Sequence, residues 1–320
     1  MWLCLAALVG LYYLVRWYRE RQVVSQLLDK FVFITGCDSG FGNLLARQLD
    51  RRGLRVLAAC LTEEGAEQLR RQTSDRVETV TLDVTKTESI AAAAQWVQER
   101  VGDRGLWGLV NNAGVSTATA PNEWLTKQDF VDVLNVNLLG TIEVTLSLLP
   151  AVRKARGRVV NVSSVMGRLS LFSGGYSISK HGVEAFSTPS VIGVRELSPF
   201  GVKVAIIEPG AFKTNLADPK RFMQSLRAAW ERAGPEVRAI YGEDFLAAYM
   251  KLGRSFKSPF RQDLPLVTDC MEHALTACHP RTRYSPGWDA KLFYIPMSYM
   301  PTFLVDAIIH WFSPRPAQAL

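Results

Sequence analysis

Tyr176 and Lys180 stand four residues apart in Tyr-Ser-Ile-Ser-Lys, twelve residues after Ser164. On a helix that spacing puts both side chains on one side. A phenol with an ordinary pKa of about 10 is a poor base at neutral pH. A neighbouring ammonium and a bound nicotinamide cation would stabilise the phenolate and bring it toward a useful range. Such a tyrosine can take the proton of an alcohol while a serine holds the same oxygen by hydrogen bond. Together these residue types fit oxidation of an alcohol, with hydride leaving for a nicotinamide. A Tyr/Lys pair alone is more often surface decoration, so its meaning depends on what accompanies it.

What accompanies it is Thr35-Gly-Cys-Asp-Ser-Gly-Phe-Gly42. Gly36, Gly40 and Gly42, with Thr35, Ser39 and Phe41 between them, fall where an apolar strand gives way to a helix. Glycines there let backbone approach a pyrophosphate, whose charge meets free N–H groups at the helix start. At the end of the second strand, Ala59-Cys60-Leu61-Thr62 offers neither a base for a 2′-phosphate nor an acid for a free ribose. The missing base favours NAD over NADP. Asp83 follows the third strand and can serve an adenine amino group or cap the next helix. Asn111-Asn-Ala-Gly114, including Ala113, ends the fourth strand, where small residues can pass beneath a cofactor. Asn137 is an amide in an apolar helical stretch, and a buried amide needs partners; holding water on a proton path to Lys180 is one use. Asn161-Val-Ser163 matches a glycosylation sequon but is expected to be buried in a strand.

The elements that would position these residues alternate. Strands are expected at Lys30–Thr35, Leu54–Cys60, Val77–Val84, Leu106–Val110, Arg158–Ser164 and Val202–Glu208, with helical segments between. That alternation predicts an α/β fold, a Rossmann-type doubly wound parallel sheet with helices on both faces. The catalytic domain is expected over 28–290, with 218–260 as a substrate-covering insertion.

Residues 1–18 predict an N-terminal membrane anchor: Met1 to Val15 carries no charge, and Arg16, Arg19 and Arg21 follow. The flanking arginines would leave the catalytic domain in the cytosol. Residues 291–320 form a second apolar segment, broken by Pro296 and Pro301, which is expected either to lie against a membrane or to pack as a helix. The formal charge of +7 comes without clustered basic residues on a reader motif, so no nucleic-acid partner is expected. Five cysteines without close spacing fit a reducing compartment, and the four histidines form no ligand motif, so no metal is expected.

These motifs resemble the short-chain dehydrogenase/reductase family over roughly residues 28–216. Thr35–Gly42 is similar to its cofactor turn, Asn111–Gly114 to its NNAG motif, and Asn137, Ser164, Tyr176 and Lys180 to its catalytic tetrad. Pro209-Gly210 with Thr214 is similar to the segment that closes over the nicotinamide. The whole chain, including Cys278–Ser285 and Trp288-Asp-Ala-Lys291, resembles the microsomal retinol dehydrogenase branch. The resemblance implies NAD-dependent oxidation of all-trans-retinol and 3α-hydroxysteroids, binding of a retinoid or steroid at Ser164 and Tyr176, and contact with membrane lipid of the endoplasmic reticulum. It also implies a homodimer through the Tyr176 helix. The rivals are an NADP-dependent carbonyl reductase of the same fold and a catalytically impaired member. The second is raised by residues 185–197, which depart from the branch pattern with Pro189 and Gly193, both helix-weakening.

Overall fold

The computed structural model describes residues 2–116, 120–170, 174–188, 196–255 and 261–319. Of the departure expected at 185–197, residues 189–195 lie outside the described residues. Helix breaking before them is visible, since the helix carrying Tyr176 ends at Ser187 and Thr188 is extended.

Strands β1 (Phe31–Thr35), β2 (Arg55–Cys60), β3 (Val77–Thr81), β4 (Gly108–Asn111), β5 (Arg158–Val162), β6 (Lys203–Ile207) and β7 (Arg283–Tyr284) form one sheet in the order 3-2-1-4-5-6-7. Every pairing is parallel. Strand β1 is buried along its whole length, as an apolar run covered on both faces requires. Its side chains alternate. Val32 and Ile34 join a core with Leu45 and Leu49 of α2 (Gly40–Arg51) and Met271 and Leu275 of a late helix, Pro265–Thr276. Phe31 and Phe33 face the other way, onto Ile90 and Val97 of Thr87–Val101 and Val144 and Leu148 of Thr141–Lys154. The doubly wound sheet expected from the sequence is present, with a seventh, two-residue strand beyond the six foreseen.

The chain leaves β1 toward β2 on one side, while β4 lies on the other. The strand order thus reverses between β1 and β4, the place where open α/β sheets bind ligands.

The expected N-terminal membrane anchor is corrected. Among the described residues, the one helix long and apolar enough to cross a membrane lies mid-chain, at Lys127–Lys154. That helix packs on the sheet through Val144, Leu148 and Val152, which accounts for its apolar character. The N-terminal helix, Trp2–Glu20, differs from a span in two ways. Its uncharged stretch stops at Val15, short of the roughly 20 residues a span needs. Its last turn is polar and fastened to the catalytic domain: Glu20 pairs with Arg281 and Arg16, and its carbonyl meets the His273 ring at 2.8 Å. Arg281 holds the Glu20 carboxyl down at about 2.

The insertion expected over 218–260 is helical as far as it is described, through residue 255. Helices Pro219–Arg232, Pro235–Tyr241 and Glu243–Ser255 enclose their own apolar cluster around Trp124, Trp230 and Phe245. Arg232 ties these helices to Asp129 at 2.9 Å. The C-terminal segment bends by 118° between Ala290–Met297 and Thr302–Trp311. One side packs through Met297 and Val305 on Leu169, while Leu292, Tyr299, Phe303 and Trp311 remain exposed.

Candidate active site

Ser164 follows β5 at its carboxyl end and opens a short turn, its Oγ accepting from Met166 N at 3.1 Å. Tyr176 and Lys180 occupy successive turns of Gly175–Ser187, the helix packed beside that turn. Lys180 is buried, donates to Val162 O at 2.8 Å, and its nitrogen lies 5.7 Å from the centre of the Tyr176 ring. Gly114 reaches the same place from β4: a Cβ there would sit 3.7 Å from Lys180 Nζ and 3.4 Å from Asn137 Oδ1. Three separate elements thus deliver Ser164, Asn137 and the Tyr176–Lys180 pair to one place, and Gly114 arrives on a fourth.

Asn137 lies in a π turn, Asn135–Gly140, that interrupts the long mid-chain helix. Such turns often mark functional sites. Its amide is fully used: Oδ1 accepts from Val115 N at 2.8 Å, and Nδ2 donates to Val115 O and to Ser179 Oγ, each at 2.9 Å. The side chain therefore braces the end of the Asn111–Gly114 segment against the Tyr176 helix.

Burial pushes the Tyr176 phenol above its ordinary value, and its hydrogen bond with Ser164 pulls the other way. Burial pushes Lys180 down to about 8, with the Glu184 carboxylate opposing the fall. A lysine with a lowered folded-state pKa costs stability wherever it must stay charged. That cost is full below pH 8 and fades as pH rises toward the ordinary lysine value of 10.5. Lys180→Met is therefore expected to gain stability at pH 7, by about 3 kcal/mol at most. Thermal unfolding from pH 7 to pH 10 checks this, since the gain should shrink with rising pH.

On the cofactor side, Gly36 and Gly40 both have positive φ, at 72° and 63°. A Cβ on Gly36 would lie 2.8 Å from Ala113 Cα, whereas on Gly40 it would meet nothing nearer than Thr214 at 3.9 Å. The turn is thus pressed against β4 behind and open in front, at the N-terminus of α2, as a pyrophosphate cradle must be. Thr35 Oγ1 accepts from Asn112 N and Ala113 N, each at 3.0 Å, locking the two strand ends together. Phe41 packs edge-on against Phe212, at 5.8 Å between ring centres, and Ser39 accepts from Asn215 at 3.2 Å. These contacts bring Pro209–Thr214 beside the glycine turn. Gly42 and Asn111 face inward: Gly42 is buried, and Asn111 Nδ2 donates to Thr145 and Asn161. The sequon asparagine, Asn161, is buried as expected and donates to Ser187. Asp83 turns to Thr85 N and Oγ1 and pairs with Lys86, so its carboxylate caps the following turn.

Three contributors escaped the sequence reading. Asp38, inside the glycine turn, accepts from Leu61 N at 2.8 Å and from Thr62 N at 3.0 Å. The acid missing from the end of β2 is therefore supplied from the neighbouring turn. Asn112 Nδ2 donates to Thr35 O and Gly36 O, bracing that turn. Asp289 accepts from Ala211 N at 2.7 Å and buttresses the segment after Pro209. Asp38 was visible as a carboxylate between glycines; nothing in the pattern signalled the long-range reach of Asp289.

A parallel sheet with an open glycine turn at its reversal point, and a Ser-Tyr-Lys cluster beside it, defines an oxidoreductase of the Rossmann type. The chain belongs to the short chain dehydrogenase family, whose model matches residues 30–225. It is 73% identical over 320 residues to retinol dehydrogenase 16 of Homo sapiens, covering 100% of both chains. With 17-beta-hydroxysteroid dehydrogenase type 6 of Homo sapiens it shares 62% over the same length, again covering 100% of both. Among solved structures, a short-chain dehydrogenase from Streptomyces avermitilis superposes with a TM-score of 0.65 at 30% identity, covering 88% of this chain and 95% of that one. A family member from Burkholderia phymatum, solved with NAD, has the same fold, with a TM-score of 0.66 at 23% identity over 91% and 97% of the two chains.

Proposed function

We propose that the protein oxidises apolar secondary or allylic alcohols with NAD, all-trans-retinol to retinal and 3α-hydroxysteroids to ketosteroids. The observation that carries this reading is the meeting of Ser164, Tyr176 and Lys180 beside Gly114 at the reversal point of the sheet. The names of relatives matching from end to end support retinol and hydroxysteroids as the substrate class, without the 3α position. When bound, NAD accepts the hydride and brings a positive charge to the site.

The chain's own residues do the rest. Gly36 and Gly40 would admit a pyrophosphate to the start of α2, and Asp38 would accept from the adenosine ribose. Pro209, Gly210 and Thr214 would hold the nicotinamide end. Ser164 holds the substrate oxygen, and Tyr176 takes its proton. Lys180 favours the phenolate by charge, offsetting the burial that raises it. Asn137 acts by holding this arrangement rigid. The helices over 219–255 would exclude water from an apolar substrate.

Association with the endoplasmic reticulum membrane belongs to the same reading, supported by the apolar substrate class and the exposed Leu292, Phe303 and Trp311. The free cysteines Cys37, Cys60, Cys270 and Cys278 favour the cytosolic side, which protease treatment of sealed microsomes would contradict by leaving the domain intact. Exposed Leu139, Leu146 and Ile178 favour a homodimer through this helical face, and sedimentation as a monomer would contradict it.

The experiment is oxidation by membranes carrying the full chain, with NAD or NADP at equal concentration, of all-trans-retinol and of a 3α-hydroxysteroid. NAD-dependent turnover of either substrate is expected. Turnover confined to NADP and running toward the alcohol would contradict the reading.

A further inference from the structure

Behind Tyr176 and Lys180, four charged side chains fill the space between their helix and the sheet edge. Glu184, one turn beyond Lys180, is 5% exposed and ion-paired with Arg283 of β7. Arg283 also donates to Glu208 at 2.7 Å. Glu208, only 1% exposed, pairs with Arg168 at 3.3 Å and accepts from Ser285 Oγ at 3.0 Å. Glu208 immediately precedes Pro209-Gly210, and Arg168 ends the turn that Ser164 opens. A Cβ on Gly167 in that turn would lie 2.8 Å from Lys180 O and 2.9 Å from Glu184 Cγ, so the turn presses directly on the helix. The cluster thus joins the segments carrying Ser164, Tyr176 with Lys180, and Pro209.

Stability alone is a weak reason for such a cluster, because buried ion pairs are often no better than apolar packing. We infer that Glu184 is a positioning residue for the alcohol oxidation proposed above. Held by Arg283, its carboxylate fixes the turn bearing Lys180 and sets how tightly the Tyr176–Lys180 pair keeps its proton. Glu184 is the acid on Lys180's own helix face, four residues away. The charged groups facing it from other elements are Arg283 and Glu208 of the sheet edge and Arg168 of the Ser164 turn. The two guanidiniums and two carboxylates nearly balance. Removing the Glu184 charge leaves the Tyr176–Lys180 pair in a more positive field. A more positive field releases protons at lower pH, so oxidation should switch on at lower pH.

The inference rests on the proposed reaction, and the test separates the two. The full chain is assayed with saturating NAD and all-trans-retinol, and kcat is followed against pH. Glu184→Gln keeps size and an acceptor for Arg283; its acid limb should move down by roughly half a unit to one unit. Its plateau kcat should stay within about threefold of wild type. Glu184→Asp keeps charge but withdraws it by one methylene, so its limb should stay and its kcat fall about tenfold. KM for NAD should hold in both. A folded Glu184→Gln with lowered melting temperature and an unmoved limb would reduce Glu184 to a structural role. Should that variant fail to fold, Glu208→Gln carries the test, with a smaller downward shift expected and no shift contradicting the inference. Absence of oxidation by the wild type would overturn both the inference and the reaction it rests on.

Discussion

Tyr176→Phe is expected to lower kcat for alcohol oxidation by about 10²- to 10⁴-fold, the usual worth of a positioned general base. The variant keeps the ring and loses one oxygen. The ring's neighbours are the Lys180 ammonium, 5.7 Å from its centre, and Ser164, which shares its hydrogen bond. The cradle at Gly36 and Gly40 is remote from the phenol oxygen, so NAD affinity should change little. Stability at pH 7 should change little, since the buried phenol is neutral there in both the folded and the unfolded chain and only its hydrogen bond with Ser164 is lost. Stopped-flow turnover together with NAD titration by protein fluorescence checks both halves. A fall in kcat with intact binding fits a group acting only in the reaction step. Loss of NAD binding would instead make Tyr176 a cofactor-holding residue.

The second large effect is expected at Asp38. Its carboxylate sits at the end of β2, fixed by Leu61 N, Thr62 N and Thr62 Oγ1. There it can accept from a ribose hydroxyl and repel a 2′-phosphate. Two like charges about 4 Å apart cost about 4 kcal/mol at the effective dielectric of a protein surface, less after screening. Asp38→Asn should therefore improve kcat/KM for NADP relative to NAD by about 10- to 100-fold. Because Asn keeps one oxygen for the Leu61–Thr62 turn, the fold around β2 should survive. Kinetics with both cofactors against one alcohol measure the ratio. An unchanged ratio would move the discrimination elsewhere.

Much of this arrangement was legible in the sequence because it is local. The alternation of buried runs gave the sheet, and the i, i+4 spacing of Tyr176 and Lys180 gave their shared face. What was not legible depends on the third dimension. The end of β2 carries no acid of its own, because a parallel sheet lets Asp38 of the β1 turn occupy that place. Asn112 and Asp289 are likewise defined by what folds back upon them. The sequence allows Asp83 two uses, and its contacts with Thr85 and Lys86 are those of a turn cap. The N-terminal segment misled because an apolar run preceding arginines has the composition of a span. Length and the fastening of Glu20 to Arg281 are what distinguish it. Conversely, the mid-chain helix passes the test for a span because a helix buried against a sheet is also apolar over much of its surface.

The most direct test of the central claim follows the hydride itself. The full chain would be incubated with NAD and an alcohol deuterated at the carbinol carbon, all-trans-retinol or a 3α-hydroxysteroid, and the reduced cofactor analysed by mass. Reduced NAD carrying the deuterium, formed by the wild type and lost in Tyr176→Phe, is the predicted result. Folded, NAD-binding protein that transfers no deuterium from either alcohol would contradict the account.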